Sequence, residues 1–143
     1  NFDTSNVINM RAMFFYAGVY TGNVSFDVSN FNTSNVTDMS FMFTGTAAND
    51  VDFNLDLSNF DTTNVLDMSN MLSDTASNST TFDTTLTIKN PNLLSYSNVF
   101  NGVASKFGSR LRVNYTTETS DLVDLMLNTK STNANVIKGT LAR

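Results

Sequence analysis

A six-residue phrase, Phe-Asp-Thr-Ser-Asn-Val, recurs at a fixed spacing in the first half of this chain. It occurs at Phe2–Val7, with close variants at Phe31–Val36 and Phe60–Val65, so each copy starts 29 residues after the one before. A fixed period in this range is typical of solenoids, in which each unit packs only on its neighbours. The period therefore predicts the fold class before any residue chemistry is considered. It also favours binding through an extended face over catalysis.

The same spacing of apolar residues follows every copy of the phrase. After Val36 come Met39, Met42 and Phe43, at positions that share one face of a short helix. The Thr-Ser-Asn or Thr-Thr-Asn just before supplies side-chain oxygens that can cap the first turn of that helix. We expect the methionines to fill the helix side of the core rather than a binding groove. The equivalent residues in the other two units are Met10, Met13, Phe14, Met68, Met71 and Leu72.

Apolar and polar residues alternate ahead of each phrase, and a period of two predicts a strand. The alternating segments are Val24–Val28, Val51–Leu57, Phe82–Ile88 and Phe107–Val113. The last part of the chain departs from this pattern, as expected of a segment that ends a core against water. There, Thr119 or Ser120 can cap a helix that runs to Leu127, and 135–138 predicts a final short strand.

These patterns together predict a single α/β domain over residues 1–143. The predicted fold is a right-handed, leucine-rich-repeat-like solenoid of parallel short strands and short helices, with a C-terminal helix-strand cap. The predicted repeats are about 1–25, 26–54, 55–85 and 86–110, and the predicted cap is 111–143. Asn30, Asn59 and Asn90 should form a ladder at the turns, and Phe2, Phe31 and Phe60 should stack in a spine, as the sequence spacing suggests.

Composition excludes several classes of function. The net charge of −5 argues against nucleic acid as a partner, and no apolar stretch approaches the roughly 20 residues that span a bilayer. The chain has no Cys and no His, which makes a zinc or copper site and an acyl-transfer triad improbable and leaves no disulfide framework. No cofactor is expected. Low charge with abundant Asn, Ser and Thr suits an exported protein.

The consensus that emerges resembles a known family. The segments Leu55–Thr62 and Asn35–Phe43 are similar to the bacterial surface-protein repeat family, also called the Mycoplasma-lipoprotein-associated repeat, which is related to BspA-like leucine-rich-repeat surface proteins. The strong resemblance covers residues 1 to about 72. It implies an extracellular protein at a bacterial cell surface, and adhesin or interaction roles, with no catalytic residues to carry over. Each unit here is lengthened relative to that family, through 16–25, 44–50 and 73–81, and whether these loops bind a partner is left open.

The outward face of the predicted sheet is the main candidate for a binding site, because strand faces of repeat proteins often bind partners. It would be acidic towards the N-terminal end and basic towards the C-terminal end. A solvated face with ordinary cross-strand pairing is the alternative. The candidate ligand-binding residues are Asp27, Asp52, Asn54, Asp56, Asp83, Thr85, Thr87, Arg110 and Arg112.

The sequence gives little support for three other kinds of site: a calcium site, a glycosidase active site and an ice-binding array. Asp50, Asp52, Asn54 and Asp56 alternate like the start of a calcium loop, but the Gly and Glu that such a loop needs are absent, and strand alternation explains the spacing better. Glycoside hydrolysis needs two placed carboxylates, and the one Glu, Glu118, lies in a Thr-rich segment. An ice-binding array would need Thr columns on neighbouring strands, which carry Asp and Arg instead.

The sequence therefore predicts a non-catalytic binding module of a bacterial cell surface, which adheres to an extracellular protein or glycan. A structural stalk that holds another domain away from the cell is the rival prediction, and a polysaccharide-active enzyme is the weakest. The sequence gives no reason for direct membrane insertion by these residues, and it leaves the ligand, the anchor and the oligomeric state open.

Overall fold

The regular secondary structure lies in the second half of the chain. The computed structural model describes residues 2–20, 22–132 and 134–143. Within these residues it contains the strands β1 (Asp83–Ile88), β2 (Arg110–Tyr115) and β3 (Val136–Leu141) and the helix α1 (Ser120–Leu127). The predicted first repeat starts at Asn1, and the predicted long loop at 16–25 includes Thr21, so both lie partly outside the described residues, as does Asn133 ahead of β3.

The three strands form an open parallel sheet in the order β1-β2-β3. Asp83 pairs with Arg110 and Ile88 with Tyr115, so β1 and β2 are in register along their whole length. The pairing of β2 with β3 shifts between Val113 and Tyr115. Alternation explains these strands, because Thr84, Leu86 and Ile88 of β1 are buried while Asp83 faces solvent. α1 buries Val123 and Met126.

The prediction of a right-handed, leucine-rich-repeat-like solenoid is wrong. The regular elements in the described residues are an open sheet of three parallel strands and one short helix. None of the short helices expected after the phrases forms, and turns occupy 11–20, 40–49, 69–78 and 97–104. The segments 24–28 and 51–57 are not strands either.

The predicted helices fail because every second amide hydrogen bonds to another part of the chain. Ala12, Phe14 and Tyr16 donate their amide hydrogens to the carbonyls of Ser40, Met42 and Thr44, at 3.0, 2.8 and 2.7 Å. The residues between them make tight turns instead, with bonds three residues back. Ala12 and Tyr16 also have φ of 56° and 52°, and a right-handed helix needs φ near −63° at each residue.

The predicted strands at 24–28 and 51–57 fail for a different reason. The expected alternation in burial is present in 52–57, where Phe53, Leu55 and Leu57 are buried, but it fails at Val51, which is 65% exposed. Side-chain oxygens, however, take amide hydrogens that a ladder would use. Phe53 donates to the Ser79 hydroxyl at 3.1 Å and Leu57 to the Thr84 hydroxyl at 2.9 Å. Ser, Thr, Asn and Asp are the residues that compete with backbone pairing in this way.

The hydrophobic core runs through all parts of the described chain. The expectation that the six motif methionines fill the core holds for five of them, while Met13 is 44% exposed. The predicted phenylalanine spine is wrong in its members. Phe14 stacks on Phe43 at 5.3 Å, Phe31 is only half-buried, and Phe2 is 80% exposed.

The asparagine ladder forms in part. The side-chain amide of Asn59 donates to the carbonyl of Ser29 at 2.8 Å, and that of Asn90 donates to the carbonyl of Val65 at 2.9 Å. Asn30 is exposed. The predicted loops 44–50 and 73–81 are largely packed rather than free, with Thr46, Ala47, Thr75 and Ala76 fully buried.

Candidate functional site

The nine candidate residues lie on the side of their segments that faces away from the core. Six are exposed and Thr85, Thr87 and Arg112 are half-buried, whereas the apolar residues between them are buried. Local alternation produces this arrangement in β1 and β2, and it persists in 52–57 without a strand. We call the set the outward face: Asp27, Asp52, Asn54, Asp56, Asp83, Thr85, Thr87, Arg110 and Arg112.

The strand register places Arg110 and Arg112, at the basic end of the outward face, next to the carboxylate of Asp83. Asp83 pairs with Arg110, and Thr85 pairs with Arg112. Arg112 Nη1 lies 2.7 Å from Asp83 Oδ1, and Arg110 Nη2 lies 3.4 Å from Asp83 Oδ2. One carboxylate therefore partly neutralises both guanidinium groups. Because all three side chains are at least one-third exposed, each pair contributes about 0–1 kcal/mol to stability.

Asp27 and Asp56 occupy equivalent positions, 29 residues apart, and accept equivalent hydrogen bonds. Each Oδ1 accepts the amide hydrogen of the residue two positions on, Ser29 or Ser58, at 2.9 Å. The serine hydroxyl and then the serine amide hold the pKa of each carboxyl below its ordinary value. Both side chains are exposed and stay ionised near neutral pH.

Asp52 and Asn54 are tied to the segment that leads into β1. The Thr81 hydroxyl donates to Asp52 Oδ1 at 2.8 Å, and the Asp83 amide donates to Asn54 Oδ1 at 3.1 Å. Asn54 Oδ1 also accepts the Leu55 amide hydrogen at 2.9 Å. These contacts fix where the two side chains point, so the middle of the outward face is a preorganised polar surface.

An open depression of about 560 Å³ lies beside Arg110. Phe107, Lys130 and Ile137 are among its walls, and Lys130 donates to the Val136 carbonyl at 2.8 Å. Phe107 is 99% exposed. The depression joins an apolar surface to the basic end of the outward face.

The sequence pattern does not identify Phe107 as a surface residue, because alternation places it at the first apolar position of a predicted strand. β2 begins only at Arg110. Gly108, with φ of 94° and the Thr80 carbonyl 2.8 Å from where a Cβ would lie, turns the chain before the strand starts. A glycine at the second position of an alternating run was the available signal.

The acidic residues at 50–56 have a structural role. Asp50 is buried and its carboxylate accepts the amide hydrogens of Val24 at 3.1 Å and Asp52 at 3.0 Å. Within residues 2–20, 22–132 and 134–143, no group of three His, Cys, Asp or Glu side chains is placed to hold a metal ion. Glu118 is exposed in the turn before α1.

Comparison with known proteins gives one family. The model of a family described as "Mycoplasma protein of unknown function, DUF285" matches residues 1–112. No curated protein and no solved structure matches the chain. The finer resemblance to BspA-like leucine-rich-repeat proteins goes beyond this match and stays a prediction. No helix in the described parts of the chain is long and apolar enough to cross a membrane.

Proposed function

Since the chain belongs to this bacterial family of unknown function, we propose that it is a non-catalytic binding module displayed at the cell surface. Its ligand is an extracellular protein or a glycan, and the outward face makes the contact. The observation that carries the proposal is the preorganisation of that face, where hydrogen bonds from the protein itself orient Asp27, Asp52, Asn54 and Asp56. Binding then orders few side chains, which lowers its entropic cost.

The chemistry of the face suits a polar ligand. The carboxylates of the outward face can accept hydrogen bonds from sugar hydroxyls or peptide amides, and the side-chain amide of Asn54 can donate them. The Arg110 end adds a positive charge and, through Phe107, an apolar surface on which a ring can stack. A non-catalytic role is supported by the structural use of the acidic side chains, which hold turns or pair with arginine.

The test compares the parent with two charge-matched variants in a binding screen against extracellular matrix proteins and a glycan array. The face variant is Asp27→Asn with Asp56→Asn. It removes two charges yet keeps an oxygen that accepts the serine amide hydrogen, as Asn32 does for Ser34 in this chain at 3.1 Å. The control is Glu118→Gln with Asp121→Asn, two exposed residues outside the face.

Saturable binding by the parent and the control, with loss in the face variant, is the expected result. Equal binding by all three proteins would remove the outward face from the proposal. Absence of binding across the panel would favour the structural stalk. Release of soluble sugars from a bound glycan would instead favour the enzyme.

A further inference from the structure

Backbone hydrogen bonds join successive copies of the sequence motif, and those between 10–16 and 38–44 all have the same direction. Bonds on either side of this stretch, from the Thr37 amide to the Ile8 carbonyl and from the Ala47 amide to the Ala17 carbonyl, run the other way. Here segment 1 is Phe2–Asn30, segment 2 is Phe31–Asn59, and segment 3 begins at Phe60. Amides of segment 1 donate to carbonyls of segment 2, amides of segment 2 to carbonyls of segment 3, and so on to the residues around Ser95. Parallel bridges Asn9–Asp38, Asp38–Asp67 and Asp67–Ser95 mark the same alignment.

This polarity leaves a row of acceptors on the side of segment 1 that faces away from segment 2. The carbonyls that receive the amides are those of Asp38, Ser40, Met42 and Thr44 in segment 2. Their equivalents, 29 residues earlier, are the carbonyls of Asn9, Arg11, Met13 and Phe15. No hydrogen bond from the described residues reaches these four carbonyls. We call this surface, with the side chains of Phe2 and Met13, the N-terminal face.

The apolar side chains of the N-terminal face are also exposed to solvent. Met13, Met42 and Met71 are the same residue at the same motif position, yet Met13 is 44% exposed while Met42 and Met71 are 0% exposed. Phe2 is 80% exposed and its equivalent Phe60 is 2% exposed. Burial of large apolar side chains is favourable, so covering this face would stabilise the protein.

The row of carbonyls also indicates which kind of polypeptide segment can bind to the N-terminal face. A second N-terminal face brought against the first would set this row of four carbonyls against another row of carbonyls, without the row of backbone amides that segment 1 presents to segment 2. A segment of the same motif offers the complementary row of amides, since that is how segments 1 and 2 fit together. The side chains agree: Asn35 and Asn64 donate to the Ser5 and Ser34 carbonyls of the preceding segment at 2.7 and 2.6 Å, and the equivalent Asn6 is exposed.

We propose that the N-terminal face is a docking surface for a further polypeptide segment of the same 29-residue motif, lying parallel to segment 1. The contact continues the interface between segments 1 and 2. Four amides of the incoming segment donate to the carbonyls of Asn9, Arg11, Met13 and Phe15, and its apolar residues cover Met13 and Phe2.

A fusion protein tests this inference. A second copy of residues 30–58 is placed directly before Asn1, which keeps the 29-residue spacing between successive motif phenylalanines. The matched control carries the same added residues in shuffled order. Two quantities are measured in both proteins: the rate of Met13 oxidation by peroxide, with buried Met71 as the internal reference, and the hydrogen exchange of the added amides.

In the motif fusion, Met13 oxidation slows to the rate of Met71. The added amides equivalent to Met39, Phe41, Phe43 and Gly45 become protected, because these are the ones that donate across the contact. In the shuffled control, Met13 oxidises as in the parent. Equal Met13 oxidation in both fusions, with unprotected added amides, would overturn the inference. Concentration-dependent protection of Met13 in the unfused parent, with dimers in sedimentation, would overturn the choice of occupant.

Discussion

At the scale of single residues, the threonine of the repeated phrase is the most constrained position. Thr33 Oγ1 donates to the Asp61 carbonyl at 3.0 Å and accepts the Asp61 amide hydrogen at 2.7 Å. Thr62 does the same with the Thr87 carbonyl at 2.7 Å and the Lys89 amide at 2.9 Å. One buried hydroxyl thus satisfies both polar groups of the neighbouring backbone.

Replacing Thr62 by Val is expected to destabilise the protein by about 1–3 kcal/mol, because the shape is kept while the part-buried Thr87 carbonyl and Lys89 amide lose their partner. The control is Thr37→Val. Thr37 is exposed and its hydroxyl bonds the Ile8 carbonyl at 3.2 Å, so water replaces the bond and stability should change by less than about 0.5 kcal/mol. Urea unfolding measures both. Equal effects would contradict the role given to the buried hydroxyl.

We expect the Asp61 carboxyl group to make the free energy of unfolding depend on pH. Burial raises the pKa of its carboxyl, but hydrogen bonds from Thr63 and the charge of Lys89 outweigh this and hold the pKa below 3.8. A lowered folded-state pKa stabilises the protein above the unfolded value, and that stability is lost as pH falls through the folded value.

The Asp61→Asn variant isolates this term, since Asn32 holds the same turn in segment 2 without titrating. We expect the variant to be less stable than the parent at pH 7 by less than about 1 kcal/mol, because the Lys89 pair is partly exposed. The difference should shrink as pH falls below 3.8. Urea unfolding at pH 7 and pH 3 checks this, and an unchanged difference at pH 3 would contradict the assignment.

At the scale of elements, the alternating turns depend on residues with positive φ. Gly45 has φ of 66°, donates its amide hydrogen to the Ser73 carbonyl at 2.8 Å, and lies under the ring of Tyr16. Ala47 and Ala76 show that alanine can adopt such a conformation here, with φ of 48° and 49°. Gly45 differs because a Cβ would lie 2.6 Å from the Tyr16 ring.

Gly45→Ala is expected to destabilise the turn by about 1–2 kcal/mol from the left-handed backbone and to displace Tyr16 as well. The matched change is Gly22→Ala, where a Cβ meets no atom within 4 Å, and it should leave stability unchanged within about 0.5 kcal/mol. Thermal unfolding of the two variants compares them. If Gly45→Ala unfolds at the parent's temperature, the contact with Tyr16 does not constrain this turn.

Sequence located β1 and α1, but it also predicted strands at 24–28 and 51–57 and short helices where the structure has turns. Alternation located β1, and the N-cap position of α1 is Thr119, one of the two capping residues that the sequence offered. The turns could not be predicted for two reasons. Apolar residues spaced three and four positions apart suit a helix, but they also suit a backbone in which φ changes sign. In addition, Ala12 and Phe41 have a left-handed backbone, and neither residue type indicates such a conformation in the sequence. The outward face was located by alternation, whereas the pairing of Asp83 with both arginines required the strand register.

At the scale of the whole molecule, many of the hydrogen bonds that hold the fold join residues about 29 positions apart, which is about a fifth of the chain. Loop closure must precede these contacts, and proteins with such separations fold in milliseconds to seconds. We expect refolding from urea in that range, followed by stopped-flow circular dichroism because the chain has no Trp. Complete refolding within about 100 µs would show that local contacts dominate instead.

The hydrogen bonding between successive motif segments has a mechanical consequence. Segments 1, 2 and 3 follow one another in chain order, and each is held to the next by its own row of bonds. Tension applied between the two ends of the chain would therefore load these rows in series, so that the weakest row parts first and the remaining rows stay intact. Each released segment would lengthen the molecule by up to about 100 Å, the extended span of 29 residues. Under load, such a chain yields in steps and absorbs work at each step.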